Sequence, residues 1–144
     1  MAKTWKDEDI SLDPIKDQTI AVIGYGIQGD AQANNMKDSG LKVIVGLREG
    51  SPTWNKAKED GHQVMSVADA TKQADIVHIL LPDMVQAKVY KEEIGPNLSE
   101  GNALSFSHAA AIYWKWIDAP ENVDLIMVAP KGPGSKVRET YLQN

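Results

Sequence analysis

Apolar residues in this chain come in short, nearly unbroken runs, with polar stretches of helical spacing between them. The runs are Ile20-Ala21-Val22-Ile23, Leu41-Lys42-Val43-Ile44-Val45, Ile76-Val77-His78-Ile79-Leu80-Leu81, Ala103-Leu104-Ser105-Phe106 and Leu125-Ile126-Met127-Val128-Ala129. Runs of this length without alternation predict strands buried on both faces. His62-Gln63-Val64 adds a short strand. The stretches between predict helices over 27–39, 54–60, 66–73 and 84–93. Gly40 and Gly61 stop the first two, Ser66-Val67-Ala68-Asp69 opens the third as a capping box, and Pro96 follows the fourth. Strands alternating with helices predict βαβ units. The fold expected is a single α/β domain, a doubly wound Rossmann-type parallel sheet with helices on both faces. Residues 1–17 read as a polar leader that packs Ile10, Leu12 and Ile15 onto the body.

The first strand runs straight into Gly24-Tyr25-Gly26-Ile27-Gln28-Gly29, and a helix follows. This is the dinucleotide-binding fingerprint in its proper context, beyond a glycine turn that only closes a βα unit. Gly24 lets the chain leave the strand, Gly26 lets backbone approach a pyrophosphate, and Gly29 lets helix and strand pack closely. The free N–H groups and positive dipole end of the helix then face the phosphates.

Where the second strand ends, a carboxylate suits an adenosine ribose and an arginine suits a 2′-phosphate. Arg48, Ser51 and Thr53 form a phosphate cradle on one reading, and a solvated turn with a helix cap on the other. Glu49 argues for NAD, so NADP is preferred without being established. The loop after the fourth strand carries Asp83, which either meets a cofactor or caps the next helix. His108, just past the fifth strand, is either a proton donor or acceptor near a nicotinamide or a solvated loop histidine. His78, inside a strand, reads as a satisfied core or interface residue.

Composition narrows the classes. The 144 residues suffice for a sizeable core, and 42% hydrophobic with 24% charged residues is ordinary for a globular protein. A net charge of −5 argues against nucleic acid or an anionic membrane as partner. The absence of cysteine excludes disulfides and thiolate zinc sites. No apolar run reaches transmembrane length, and the start is too polar and acidic for a signal peptide, so a cytoplasmic location is expected.

Taken together, Gly24-Tyr25-Gly26-Ile27-Gln28-Gly29, Val45-Gly46-Leu47-Arg48-Glu49-Gly50-Ser51, Leu80-Leu81-Pro82-Asp83, Phe106-Ser107-His108 and Met127-Val128-Ala129-Pro130-Lys131-Gly132-Pro133-Gly134 resemble ketol-acid reductoisomerase. That enzyme of branched-chain amino-acid synthesis is also called acetohydroxyacid isomeroreductase. The resemblance runs from about residue 3 to the last residue. It implies NADPH binding by Tyr25, Gly26, Ile27, Gln28, Arg48, Ser51, Thr53, Asp83, Met84, Val85, Gln86 and Gly134. It also places His108 at the family's catalytic histidine and Lys131 beside the active site.

Two departures accompany the resemblance. The family continues into a helical domain that supplies the magnesium ligands and the acetohydroxy-acid surface. That domain is expected to be absent here, so no magnesium binding and no reductoisomerase activity are expected of this chain alone. Residues also differ. Ile27 and Asp30 stand where the family commonly has serine and histidine. His108-Ala109-Ala110-Ala111-Ile112-Tyr113 stands where His-Gly-Phe-Asn-Ile-His is expected. Ile27 loses a side-chain contact to pyrophosphate, Asp30 adds negative charge near the phosphates, and Ala109 replaces a glycine near the nicotinamide. NADP(H) binding should therefore be weakened or lost. The odd residues also predict a contact patch: Ile27, Asp30 and Asn34 facing the same region as Ala110, Tyr113, Trp114 and Asp118. A second copy or a foreign protein would dock there, through either natural divergence or an engineered scaffold. Trp54 should cover the second helix, and Trp116 should be core.

Overall fold

In the computed structural model, which describes residues 3–143, the strands are β1 (Thr19–Ile23), β2 (Lys42–Gly46), β3 (Gln63–Met65), β4 (Ile76–Ile79), β5 (Ala103–Phe106) and β6 (Asp124–Met127). They pair in parallel in the order β3-β2-β1-β4-β5-β6. The helices are α1 (Ile27–Asp38), α2 (Trp54–Glu59), α3 (Val67–Gln73), α4 (Asp83–Val89), α5 (Ala110–Tyr113) and α6 (Gly134–Gln143). The strand order reverses between β1 and β4, which opens a crevice at the carboxyl ends of these two strands.

Alternation along the strands divides the core into two layers. Ile20, Val22 and Val45 point to one face and pack with Ala33 of α1 and Ala57 of α2. Ala21, Ile23, Val77, Ile79, Leu104 and Phe106 point to the other and pack with α3, α5 and Ile94. Each fully buried Ile or Leu contributes about 1.5–3 kcal/mol relative to exposure, so this double burial is why β1 and β4 read as continuous apolar runs. Helix α1 lies close against the loop after β1, because a Cβ at Gly29 would strike the Gly24 carbonyl. Ser66 caps α3 as its sequence predicts, its Oγ accepting from the Asp69 N–H at 3.1 Å. Helix α4 runs on into a π turn, Tyr90–Ile94, that buries Ile94.

The structure corrects several expectations. Helices α5 and α6 are absent from the periodic reading. In the leader only Ile15 packs on the body; Ile10 and Leu12 are 61% and 44% exposed. Turns from Leu12 to Gln18 aim Ile15 inward and leave the preceding segment outside. Residues 1 and 2 of that leader lie outside the described residues. Trp116 is 46% exposed, and Ile117 fills the core instead, because Lys115 turns the chain with φ +53°. Trp54 is half-buried against the cluster beneath α1 and α2. The last strand is present as β6, but Leu125, Ile126, Met127 and the following Val128 are exposed.

Candidate functional site

The carboxyl ends of β1, β2 and β4 open into a cleft of about 650 Å³. An adjoining cavity of about 280 Å³ reaches the end of β5, and Gln28, Leu80 and Leu81 border both. Gly26 occupies the N-cap of α1 and lines the larger cleft. A Cβ there would meet nothing within 4 Å, so no protein contact requires glycine at this position. The open space fits a ligand that comes close to the backbone. The amides of Ile27, Gln28 and Gly29 precede the first helical bond, from Asp30 N–H to the Gly26 carbonyl at 2.8 Å. They are the free donors of an anion site.

Asp30 does not stand bare beside these amides. Its carboxylate pairs with Lys56 Nζ at 2.9 Å and accepts from Asn34 Nδ2 at 2.8 Å. Lys56 also pairs with Asp60 at 2.7 Å, and Asp60 accepts from the Tyr25 hydroxyl at 2.8 Å. Tyr25 is buried, and burial followed by the Asp60 hydrogen bond lifts its hydroxyl well above the usual tyrosine range. Asn34 spends its amide protons on Asp30 and Tyr25, so its oxygen accepts from His62 Nε2 at 3.1 Å. His62 Nδ1 is then buried without a partner. Burial, aided by Lys37, holds this ring below its usual pKa and neutral.

After β2, Gly50 at φ +74° and the bond from Ser51 N–H to the Arg48 carbonyl turn the chain. Arg48, Ser51 and Thr53 all line the cleft, and Glu49 is not among its walls. The Ser51 and Thr53 hydroxyls lie 3.2 Å apart. Thr53 holds the N-cap position of α2 without a side-chain cap bond, which removes the capping alternative there. Arg48 is exposed and makes no ion pair among the described residues.

Asp83 is not a cap either, since Pro82 holds that position before α4. Its carboxylate lies 3.3 Å from His108 Nδ1 and accepts from Gln86 Nε2 at 3.3 Å. Gln86 also donates to the Leu81 carbonyl at 2.7 Å, and its buried Oε1 has no partner. Gln86 lines the His108 cavity, and its unpartnered oxygen lies buried behind that wall. Met84 is exposed, and Val85 borders the larger cleft. His108 is exposed; its Nδ1 faces Asp83 and also lies 3.4 Å from the Ala110 N–H.

One functional feature escaped the sequence reading. Gln28 Nε2 donates to the Gly132 carbonyl at 2.9 Å, so its oxygen accepts from Gln32 Nε2 at 3.0 Å. Gln32 Nε2 also reaches Ser107 Oγ at 3.1 Å, and its oxygen accepts from His78 Nε2 at 2.8 Å. His78 Nδ1 is left to accept from Ser105 Oγ at 2.9 Å. This buried relay ties β4 and β5 to the glycine loop and to Ser107. Burial pushes His78 down to about 4, so the ring is neutral. The polar residues His78 and Ser105, at one register position of neighbouring strands, were the available signal, but their pairing exists only in the sheet.

The remaining assigned residues are distributed unevenly. Gly134 begins α6 against α1, where a Cβ would strike the Ile27 carbonyl. Lys131 is exposed in a groove beside Lys136 and Tyr141, and its neighbour Pro130, not Lys131, lines the His108 cavity. The bend at Lys131 and Gly132 turns the lysine toward α6. The predicted contact patch divides. Tyr113 and Trp114 are 74% and 63% exposed, with rings edge-on at 4.8 Å, and Asp118 is exposed nearby, its carbonyl accepting from Tyr90. Asp30 and Asn34, one turn apart on α1, face α2 on the opposite side of the sheet, because α5 packs into the other core layer through Ala111. Ile27 edges the cleft itself. Among the described residues no three His, Cys, Asp or Glu side chains gather as a metal site, and no helix is long and apolar enough to cross a membrane.

Residues 14–144 match the family model described as acetohydroxy acid isomeroreductase, NADPH-binding domain. Over 144 residues the chain is 84% identical to a ketol-acid reductoisomerase (NADP(+)) of Nitrosopumilus maritimus. Over 143 residues it is 74% identical to that of Cenarchaeum symbiosum. These matches cover 100% and 99% of this chain but 43% of each relative. A solved NADH-preferring ketol-acid reductoisomerase from an uncultured archean superimposes with a TM-score of 0.93 at 52% identity, over 95% of this chain and 43% of that one. An imine reductase of Myxococcus stipitatus in complex with NADP+ shares the fold at a TM-score of 0.66 and 22% identity, over 81% of this chain and 42% of that one.

Proposed function

The chain belongs to the ketol-acid reductoisomerase family, in its NADPH-binding domain, and we propose that its cleft holds NADP(H) for that family's hydride transfer. One observation carries this reading: a single cleft is walled at once by Gly26, with its open face, and by Arg48, Ser51 and Thr53. The pyrophosphate lies on the first-turn amides of α1. The guanidinium and two hydroxyls take the 2′-phosphate. Gln86 and His108, which line the smaller cavity, would border the nicotinamide end. The preference is for NADPH over NADH, although a solved relative is NADH-preferring, because Arg48 and not Glu49 borders the cleft. Ile27 and Ala109 lower the affinity; Asp30, paired with Lys56, does so less than a bare carboxylate would.

The bound nicotinamide supplies the hydride. The alkyl migration of a reductoisomerase needs a Lewis acid on the ketol oxygens. The chain spans 43% of its relatives' length, and among its described residues no acidic group of three gathers. We infer that residues 1–144 taken by themselves do not turn over an acetohydroxy acid, even with magnesium and NADPH supplied. The setting is branched-chain amino-acid synthesis in the cytoplasm. Isothermal titration with NADPH and NADH tests the binding reading. Tighter binding of NADPH is expected; equal affinities overturn the preference, and no binding of either overturns the site.

A second reading rests on the exposure of Tyr113 and Trp114. Aromatic residues ringed by polar ones are what contact surfaces use, and we propose that two copies associate through them. Identity of 84% to a natural relative over the whole chain favours natural divergence over redesign as the origin of the unusual residues.

A further inference from the structure

The phosphate-binding end of α1 carries an aspartate in its first turn. The charge on Asp30 and an incoming pyrophosphate compete for the same amides and the same dipole end. The fold answers this with a lysine from another element. Lys56, on α2, reaches across to Asp30 at 2.9 Å and holds Asp60 at 2.7 Å. Its ammonium also lies 5.5 Å from the centre of the Tyr25 ring, and Tyr25 sits between the first two glycines of the loop. Asn34 fixes the other oxygen of Asp30 at 2.8 Å, so the carboxylate is held from two sides toward α2. Asp60 in turn accepts the Tyr25 hydroxyl proton at 2.8 Å. One cation is thus shared by two carboxylates, and the second of them, Asp60, holds the Tyr25 hydroxyl of the glycine loop.

We propose that Lys56 is a positioning residue of the cofactor site, which keeps Asp30 turned away from the pyrophosphate and screens its charge. The proposal rests on the reading of the cleft as a dinucleotide site. Lys56 acts on the pyrophosphate, which NADPH and NADH share, so its effect is common to both cofactors. In this it differs from Arg48, whose effect belongs to the 2′-phosphate. A charge released beside a bound anion at a partly exposed site weakens binding roughly tenfold, and more at low salt.

The test is isothermal titration of the full chain with NADPH and with NADH, at low and at moderate salt. The variants are Lys56→Met, Asp30→Asn and the two combined. Lys56→Met should weaken both cofactors by the same factor, roughly tenfold. The double variant should recover most of that loss, because the charge that Lys56 screens has gone. Asp30→Asn alone should bind both cofactors at least as well as the parent, and this variant keeps Lys56 paired with Asp60. Recovery by the neutral amide is not produced by a merely structural lysine. Unchanged binding in Lys56→Met, or a double variant as weak as the single one, overturns the proposal while leaving the cofactor site standing. A parent chain that binds neither cofactor overturns both. Thermal melts of each variant separate lost binding from lost folding; a Lys56→Met chain that fails to melt cooperatively shifts the decision to Asp30→Asn, where weaker binding than the parent refutes the idea.

Discussion

Arg48 and Glu49 are neighbours of opposite charge at the end of β2, and only the arginine reaches the cleft wall. A charge-assisted hydrogen bond is worth about 1.5–3 kcal/mol. Arg48→Ala should therefore weaken NADPH binding roughly tenfold to a hundredfold and leave NADH nearly unchanged, as titration with both cofactors will show. His78 makes a different prediction. Its folded pKa, about 4, lies below the ordinary 6.5. Between these values the unfolded chain binds the extra proton, so stability rises with pH across this window and is lost as pH falls from 6.5 toward 4. The shift corresponds to roughly 3 kcal/mol. Urea unfolding at pH 6.5 and pH 4.5 should show most of this loss, with a smaller share from His62, which is depressed in the same direction. His78→Met should flatten the profile while lowering stability at neutral pH, since Ser105 and Gln32 lose their partner. An unchanged slope in that variant would mean that other groups govern acid sensitivity.

Among the elements, α3 is the one whose start is written most plainly. Ser66 Oγ accepts from Asp69 N–H and donates to its carboxylate at 2.8 Å. Ser66→Ala should cost about 1 kcal/mol and lower the melting temperature by a few degrees, with no change in cofactor affinity because α3 touches the cleft only through Val67. Helix α6 has no such local signal. It packs along α1, with Arg138 bound to Asn35 and Asp38 and Tyr141 to Ser39. Its start against Ile27 is what demands glycine at position 134. The helix exists because of its neighbour, which is why a scan for hydrophobic period passes over it.

At the scale of the molecule, the sheet is protected unevenly. Its centre is buried on both faces, whereas β6 leaves Leu125, Ile126 and Met127 exposed along an open edge. Tyr113, the last residue of α5, and Trp114 after it lie on the segment that links β5 to β6. Exposed apolar surface of this kind associates. Sedimentation should show mass rising with concentration. Replacing Tyr113 and Trp114 with alanine should abolish the rise and leave the melting temperature nearly unchanged, because both side chains are mostly in solvent. A dimer that survives this double replacement would move the contact to β6.

The sequence by itself determined the architecture and the place of the cleft. Apolar runs long enough for doubly buried strands, glycines at the turns and a strand–glycine–helix junction are local signals, and each depends on residues close in the chain. The parallel sheet, the cap at Ser66 and the gathering of Arg48, Ser51 and Thr53 on one loop at the cleft follow from them. What only the tertiary structure decided are pairings between distant residues. Asp30 reads as a bare charge until Lys56, from another helix, is found paired with it. Asp83 reads as a cap until His108 is brought to 3.3 Å. His78 reads as a satisfied core or interface residue and is one, but its partners, Ser105 from the register of β4 with β5 and Gln32 from α1, exist only in the fold. The single patch imagined across Asp30, Asn34, Tyr113 and Trp114 fails for the same reason. Which face of a sheet a helix covers is set by the chain's crossovers, and helical period alone carries no record of them.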